Sequence, residues 1–170
     1  MLQEIENRRS CRKFDSGKAV EKEKLEEVIR AGLYAASGMG RQNGIIVAIT
    51  DKKTRDEVSA LNARIMGATS DPFYGAPVIL LVAVKKWPIA VYDGSTMMEN
   101  MLIEATHQGL GSCWIHRAKE ELESKEGKEL FASIGLNADE YEGVGHVALG
   151  YSMIDNYSLK VIREGRVFWI

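Results

Sequence analysis

The sequence predicts a three-layer α/β sandwich folded as one domain over residues 1–170. Three observations carry that expectation. GIIVAIT at 44–50 and PVILLVAV at 77–84 are short, apolar and rich in β-branched residues, so they read as strands covered on both faces. Around them run segments with one apolar stripe at helical spacing. The chain is 45% hydrophobic and 27% charged, enough for one buried core, and no linker, repeat or low-complexity stretch divides it.

Each element follows from its own pattern. Residues 22–36, KEKLEEVIRAGLYAA, align Leu25, Val28, Ile29, Gly32, Leu33 and Ala36 on one helical face, ending near Gly38 and Gly40. Residues 52–66 predict a charged helix with Val58, Leu61 and Ile65 turned inward. Residues 94–110, GSTMMENMLIEATHQGL, are apolar on most sides and predict a central helix. SCWI at 112–115 and GHVALGY at 145–151 predict two more strands, with one short amphipathic helix in ESKEGKELFASIGL between them. The chain closes on VFWI after a polar loop. Four apolar residues there need cover, and adding them as a strand to a second subunit's sheet would provide it.

Charge and cysteine content narrow the class. With 22 basic and 24 acidic residues, net charge is −2, which argues against a nucleic-acid partner. Cys11 and Cys113 are the only cysteines, so no disulfide framework is expected and a reducing compartment is. The start, MLQEIENRR, has no apolar core of a signal peptide, and no apolar run nears the roughly 20 residues of a membrane span. The expectation is a soluble, cytoplasmic protein.

Four segments carry candidate chemistry. RRSCRKF places Arg8, Arg9, Arg12 and Lys13 around Ser10. Arginine forks and a hydroxyl suit a phosphate dianion, although such a heptad by itself is also an ordinary solvated cluster. ASGMGRQNG at 36–44 combines three glycines with Ser37, Arg41, Gln42 and Asn43 between a helix and a strand. It is neither a dinucleotide fingerprint nor a P-loop, because it follows a helix. GLGSCWIHRA at 109–118 leads from two glycines through a strand to a basic turn at His116 and Arg117. Cys113 and His116 have the spacing of half a metal site, but no second pair completes it, so no metal is expected. Cys113 with His107, His116 or His146 is a conceivable nucleophile pair, yet nothing orients one, and a buried strand cysteine is usually inert. The end, SLKVIREGRVFWI, returns Lys160, Arg163 and Arg166 beside the apolar terminus.

In this order, RRSCRKF, AASGMGRQN, DPFYGAPV, GLGSCWI and RVFWI resemble the nitroreductase family of flavin oxidoreductases from Ile5 to Ile170. The resemblance implies a three-layer α+β fold, an α/β/α sandwich around a mixed, mostly antiparallel sheet. It implies a homodimer that exchanges C-terminal strands and holds two FMN molecules at its interface. Arg8, Arg9, Ser10 and Arg12 would hold the FMN phosphate and ribityl chain. Ser37, Gln42 and Asn43 match a stretch lying along the flavin, in many members supplied by the partner subunit. Asn62 matches an asparagine near the ring, and Ile115, His116 and Arg117 match backbone facing the flavin N5 edge. Lys160 and Arg163 correspond to a late basic pair at the phosphate, though two residues separate them where the family has one. Gly44 stands where the family often has tryptophan, which would widen the pocket.

The resemblance also implies NADH or NADPH as a transient reductant and ping-pong hydride transfer. The electron acceptor would be a small molecule: a nitroaromatic, a quinone or an enone. No protein side chain is assigned as a catalytic acid or base, because the cofactor carries the chemistry. Dehalogenation, azoline oxidation, flavin destruction and simple flavin storage remain open on the same scaffold. A phosphate-sensing or RNA-contacting module built on RRSCRKF is the rival without flavin.

Overall fold

Four antiparallel strands form one sheet in the order β1-β2-β4-β3: β1 (Gly44–Ile49), β2 (Val78–Lys85), β4 (Tyr141–Gly150) and β3 (Gly111–Ile115). The computed structural model describes residues 1–158 and 160–170. Strand β2 is buried along nearly its whole length and splits the core by alternation. Val78, Leu80 and Val82 face α2 (Lys22–Leu33) and α4 (Ala90–His107). Ile79, Leu81 and Ala83 face the other layer, α3 (Lys52–Met66), α5 (Ala118–Glu123) and α6 (Lys125–Ser133). The α/β/α sandwich is therefore present. The four strands are all antiparallel, and the parallel contribution among the described residues is one isolated bridge, Ser10 to Ser112.

Several boundaries move for identifiable reasons. Helix α4 begins at Ala90, four residues before the glycine that reads as its start. Gly94 is instead a close-packing position, since a Cβ there would strike the Val144 side chain. The amphipathic stretch after β3 is two helices, because Ser124 ends α5 and caps α6, its Oγ accepting from the Gly127 amide at 3.1 Å. Strand β4 begins at Tyr141 rather than 145, with a register shift opposite Val82 and Ala83. Helix α2 ends at Leu33, three residues early, as the chain turns toward the 36–44 loop.

The DPFYG lead into β2 is organised by Asp71. Its carboxylate accepts from the Phe73 amide (2.9 Å), the Gly75 amide (2.8 Å) and Ser59 Oγ (2.6 Å), and pairs with the buried Arg55 guanidinium. Arg55 in turn donates to the Ala76 carbonyl at 2.9 Å. Partial burial works to raise the Asp71 pKa, but Ser59, Arg55 and the two amides outweigh it and hold it below the ordinary value. A carboxylate with a lowered folded pKa stabilises above its unfolded value of about 3.9 and loses that stabilisation as pH falls through the folded value. Asp71→Ala is expected to cost about 3 kcal/mol, because it removes the shared acceptor of Ser59, the Phe73 and Gly75 amides and Arg55, and leaves the buried guanidinium with the partly exposed Asp56 at 3.3 Å as its remaining carboxylate among the described residues. Urea unfolding at pH 7 measures this, and the gap between wild type and variant should narrow below about pH 4. An equal gap at pH 7 and pH 3 would show the charge is not what stabilises the loop.

The two sheet edges differ. Residues 10–11 lie on the outer side of β3, where the Cys11 amide donates to the Ser112 carbonyl at 2.8 Å. The outer edge of β1 is unpaired among the described residues. Beside it a groove of 770 Å³ opens between α3 and α6, lined by Val47, Ile49, Val58, Leu61, Leu130 and Ile134.

Candidate functional site

The short helix α1 (Gln3–Asn7) packs on α4 and delivers the basic heptad to the edge of β3. His107 near the end of α4 holds α1 through Glu4, at 2.9 Å, and that carboxylate raises the His107 pKa above its usual value. Past Cys11 the heptad crosses to the end of β4, where Phe14 bridges Ser152 and the Met153 amide donates to the Lys13 carbonyl at 2.9 Å.

The four cations of the heptad divide by role. Arg9 donates to the carbonyls of Glu6 (2.6 Å), Arg8 (2.8 Å) and Ser158 (3.0 Å), so it ties backbone together. Arg8 has one loose ion pair, to Glu99 at 3.7 Å. Arg12 is exposed and makes no ion pair among the described residues. Lys13 is exposed. Ser10 bridges Ser112, the residue before Cys113 on β3. Burial pushes the Cys113 thiol pKa up, and Arg12, Ser10 and Arg8 offset only part of the rise. Cys113 is thus a core thiol rather than a nucleophile, and His146, its conceivable base, is bonded to Glu121 instead. Ser112, beside Ser10 in the bridge, keeps a buried hydroxyl with no partner among the described residues.

The 36–44 loop is anchored by an aspartate that sequence patterns did not single out. Asp93, buried in the first turn of α4, accepts from the Gly38 amide at 2.8 Å and from Trp87 Nε1 at 3.0 Å. Ser37 Oγ accepts from the Gln42 amide at 3.0 Å, which closes the loop on itself. Met39 and Gln42 sit at φ +55° and +48°, so two side-chain-bearing residues hold the left-handed conformation that usually selects glycine. Gln42 is exposed, while Asn43 leaves its Oδ1 buried without a partner among the described residues. Arg41 lies over the Trp87 ring at 4.6 Å. Within this chain the space a side chain at Gly44 would take is filled by Met97 Sδ.

The third group stands at the far end of β3. Ile115 is buried, His116 is exposed beside the Trp114 ring at 6.2 Å, and Arg117 takes φ +82° as the cap of α5. Asn62 is fully buried in α3, with its Nδ2 donating to the His116 carbonyl at 2.8 Å. From Ser112 to Ile115 the strand spans roughly 10 Å.

One chain therefore brings Arg8, Ser10 and Arg12 to one end of β3 and the Ile115–Arg117 turn to the other. No hydrogen bond or ion pair among the described residues joins either group to Ser37, Gln42 and Asn43, which sit by the start of α4. Lys160 and Arg163 are exposed and make no ion pair among the described residues. Among those residues no three His, Cys, Asp or Glu side chains converge as metal ligands, and no helix is long and apolar enough to cross a membrane.

Comparison with known proteins bears on this arrangement. No curated protein matches the chain. Among solved structures, a nitroreductase with bound FMN from Bacteroides fragilis is 28% identical, with a TM-score of 0.87 over 99% of this chain and 97% of that one. A nitroreductase with bound FMN from Desulfitobacterium hafniense and an FMN-dependent nitroreductase from Clostridium difficile, each 22% identical, share the fold. Their TM-scores are 0.84 and 0.82, each over 99% of this chain and over 96% and 98% of theirs respectively. The nitroreductase family model matches residues 5–151, and with it the chain belongs to the nitroreductase family.

Proposed function

We propose that the protein is an FMN-dependent oxidoreductase that takes hydride from NADH or NADPH and reduces a small nitroaromatic, quinone or enone, working as a cytoplasmic homodimer. The observation that carries this reading is the pair of loosely engaged arginines, Arg8 and Arg12, set with the Ser10 hydroxyl at one end of β3. Bound FMN in the Bacteroides fragilis relative supports the choice of cofactor.

The residues present fit that group. A phosphate dianion asks for cationic forks and hydroxyl donors, and Arg8, Arg12 and Ser10 are that set. The buried, unpartnered hydroxyl of Ser112 lies next to Ser10 and adds a polar group with unmet bonding. Ile115, His116 and Arg117 would meet the ring edge with backbone. Ser37, Gln42 and Asn43 would come from the second subunit, which accounts for their separation from the heptad within one chain and for the orphaned Asn43 Oδ1. Asn62 would act from beneath, through the His116 carbonyl. Lys160 and Arg163 would reach the phosphate only after the tail docks on the partner.

When bound, FMN supplies the two-electron chemistry, accepting hydride from a nicotinamide and passing electrons to the acceptor. The chain's own work is to bind the phosphate, orient the ring edge and exclude water. No side chain near the turn is placed as a general acid or base: His116 is exposed beside Trp114, and the Arg117 guanidinium is held by Glu120 at 2.8 Å.

The test is a visible spectrum of the purified protein followed by steady-state oxidation of NADH and of NADPH with menadione and a nitroaromatic. Flavin absorbance and turnover are the expected results. Colourless protein that does not take up added FMN overturns the reading, and bound flavin without turnover leaves storage.

A further inference from the structure

Beneath the Ile115–Arg117 turn three polar side chains meet in the core: Asn62 from α3 and His146 from β4, both 0% exposed, and Glu121 from α5 at 2%. Asn62 Nδ2 donates one hydrogen to the His116 carbonyl at 2.8 Å and the other to Glu121 Oε1 at 2.5 Å. Glu121 Oε2 lies 2.8 Å from His146 Nε2. That contact needs one hydrogen between the two atoms and has the same geometry whichever of them carries it. His146 closes the far end, edge-on against Phe73 with centroids 5.2 Å apart. The contacts therefore lead from β4 through α5 and α3 to one backbone atom, the His116 carbonyl.

Packing alone selects neither this network nor the turn above it. Asn62 Oδ1 and His146 Nδ1 are buried with no partner among the described residues, and a buried polar atom left unbonded destabilises the fold. Apolar side chains of similar volume at the three positions would avoid that cost. Arg117 takes φ +82°, a conformation that strains any residue but glycine. Such strain persists where the surroundings over-determine the backbone. Here Asn62 holds the carbonyl before Arg117, and the Glu121 amide donates to the Arg117 carbonyl at 2.9 Å as the first helical bond of α5. Glu121 thus braces both sides of the strained residue, directly through its amide and through Asn62 by its carboxylate.

We infer that Asn62, Glu121 and His146 are positioning residues, a buried brace that fixes the Ile115–Arg117 turn for a ligand seated against its backbone. The inference rests on the flavin reading above, in which that ligand is the ring edge of FMN. All three side chains lie buried behind the turn, so each acts through it. A ring is oriented by the turn only as well as the turn itself is held. A misplacement of about 1 Å at a reacting centre costs on the order of 10² in rate, even when its source lies away from the chemistry.

The decisive variant replaces all three together: Asn62→Leu, Glu121→Leu and His146→Phe. Because the polar partners leave at once, this protein is expected to fold, with a circular dichroism spectrum and urea midpoint near those of wild type. Its affinity for FMN is expected to fall at least tenfold, and so is kcat at saturating FMN and reductant. A role confined to the fold would leave both at their wild-type values in the folded variant, and that result overturns the proposal. Should the triple variant not fold, Asn62→Leu alone cuts the link to the turn and keeps the contact of Glu121 with His146, with the same two losses expected. Failure of that variant to fold as well assigns the residues to the fold and overturns the proposal. Amide hydrogen exchange of the apoprotein tests the brace without the cofactor. In Asn62→Leu the Glu121 amide is expected to exchange at least tenfold faster than in wild type while the amides of β2 keep their protection. Unaltered exchange at Glu121 overturns the brace. If the wild-type protein takes up no FMN, the oxidoreductase reading fails and hydrogen exchange alone decides whether the brace stands.

Discussion

Replacing Arg8 and Arg12 together by alanine is expected to give folded but colourless protein. Each guanidinium-to-phosphate contact is a charge-assisted hydrogen bond worth about 1.5–3 kcal/mol, so losing both should weaken FMN by roughly 10² to 10⁴ in Kd. The fold should be nearly indifferent. Arg12 makes no ion pair among the described residues, and the Arg8–Glu99 pair at 3.7 Å is of the half-exposed kind that contributes at most about 1 kcal/mol. Fluorescence titration of apoprotein with FMN measures the loss, and circular dichroism checks the fold. Arg9→Ala separates binding from scaffolding. Its guanidinium is committed to three carbonyls, so this variant should lose thermal stability and release the segment near Ser158 before it loses phosphate affinity. Full FMN retention by the double variant would place the phosphate elsewhere.

The contrast between Arg9 and Arg12 marks the limit of sequence reading for this site. Four cations in six positions suit an anion site but equally a solvated cluster, and nothing local says which of them is already used. Arg9 is spent on Ser158, 149 residues away, and only the folded chain shows it. Asp93 was equally silent. It lies just before the stretch that reads as a central, mostly apolar helix, and its task is to pin Gly38 and Trp87. The buried contact of Asn62, Glu121 and His146 was the least legible feature. Glu121 reads as one more acid on a charged helix and His146 as a lone histidine in a strand, while their partner Asn62 lies 59 residues from Glu121.

The elements themselves were far more legible, because local pattern fixes them. The apolar run in β2 and the stripe of α2 need no knowledge of distant residues to be recognised. Where boundaries moved, a distant contact moved them, as with Val144 lying over Gly94. Gly44 shows the same limit from the other side: a missing side chain suggests open space, and Met97 fills it.

Deletion of residues 165–170 is expected to have the largest effect of any change to the chain. Val167, Phe168, Trp169 and Ile170 project into solvent, with Phe168 and Trp169 at 85% and 93% exposure. Each such side chain gains about 1.5–3 kcal/mol on full burial, so four of them offer roughly 6–12 kcal/mol per tail before the entropy of ordering is subtracted. That ordering costs on the order of 1–2 kcal/mol per residue, and a strand added to a sheet edge recovers part of it in ladder bonds. The receptor of matching chemistry is the open edge of β1 with its apolar groove, and an exposed edge of this kind invites pairing with another chain. Docking of each subunit's tail there on its partner would also carry Lys160 and Arg163 across and bring the 37–43 loop of one subunit to the heptad of the other. Light scattering on size-exclusion fractions should therefore find the full chain dimeric and the truncated chain monomeric or aggregated, with FMN lost alongside the dimer. Trp169→Glu, which buries a charge in the same groove, should weaken the dimer without removing the backbone that adds to β1. A truncated protein that stays dimeric and yellow would mean that the tail covers nothing at the interface and that the edge of β1 is protected some other way.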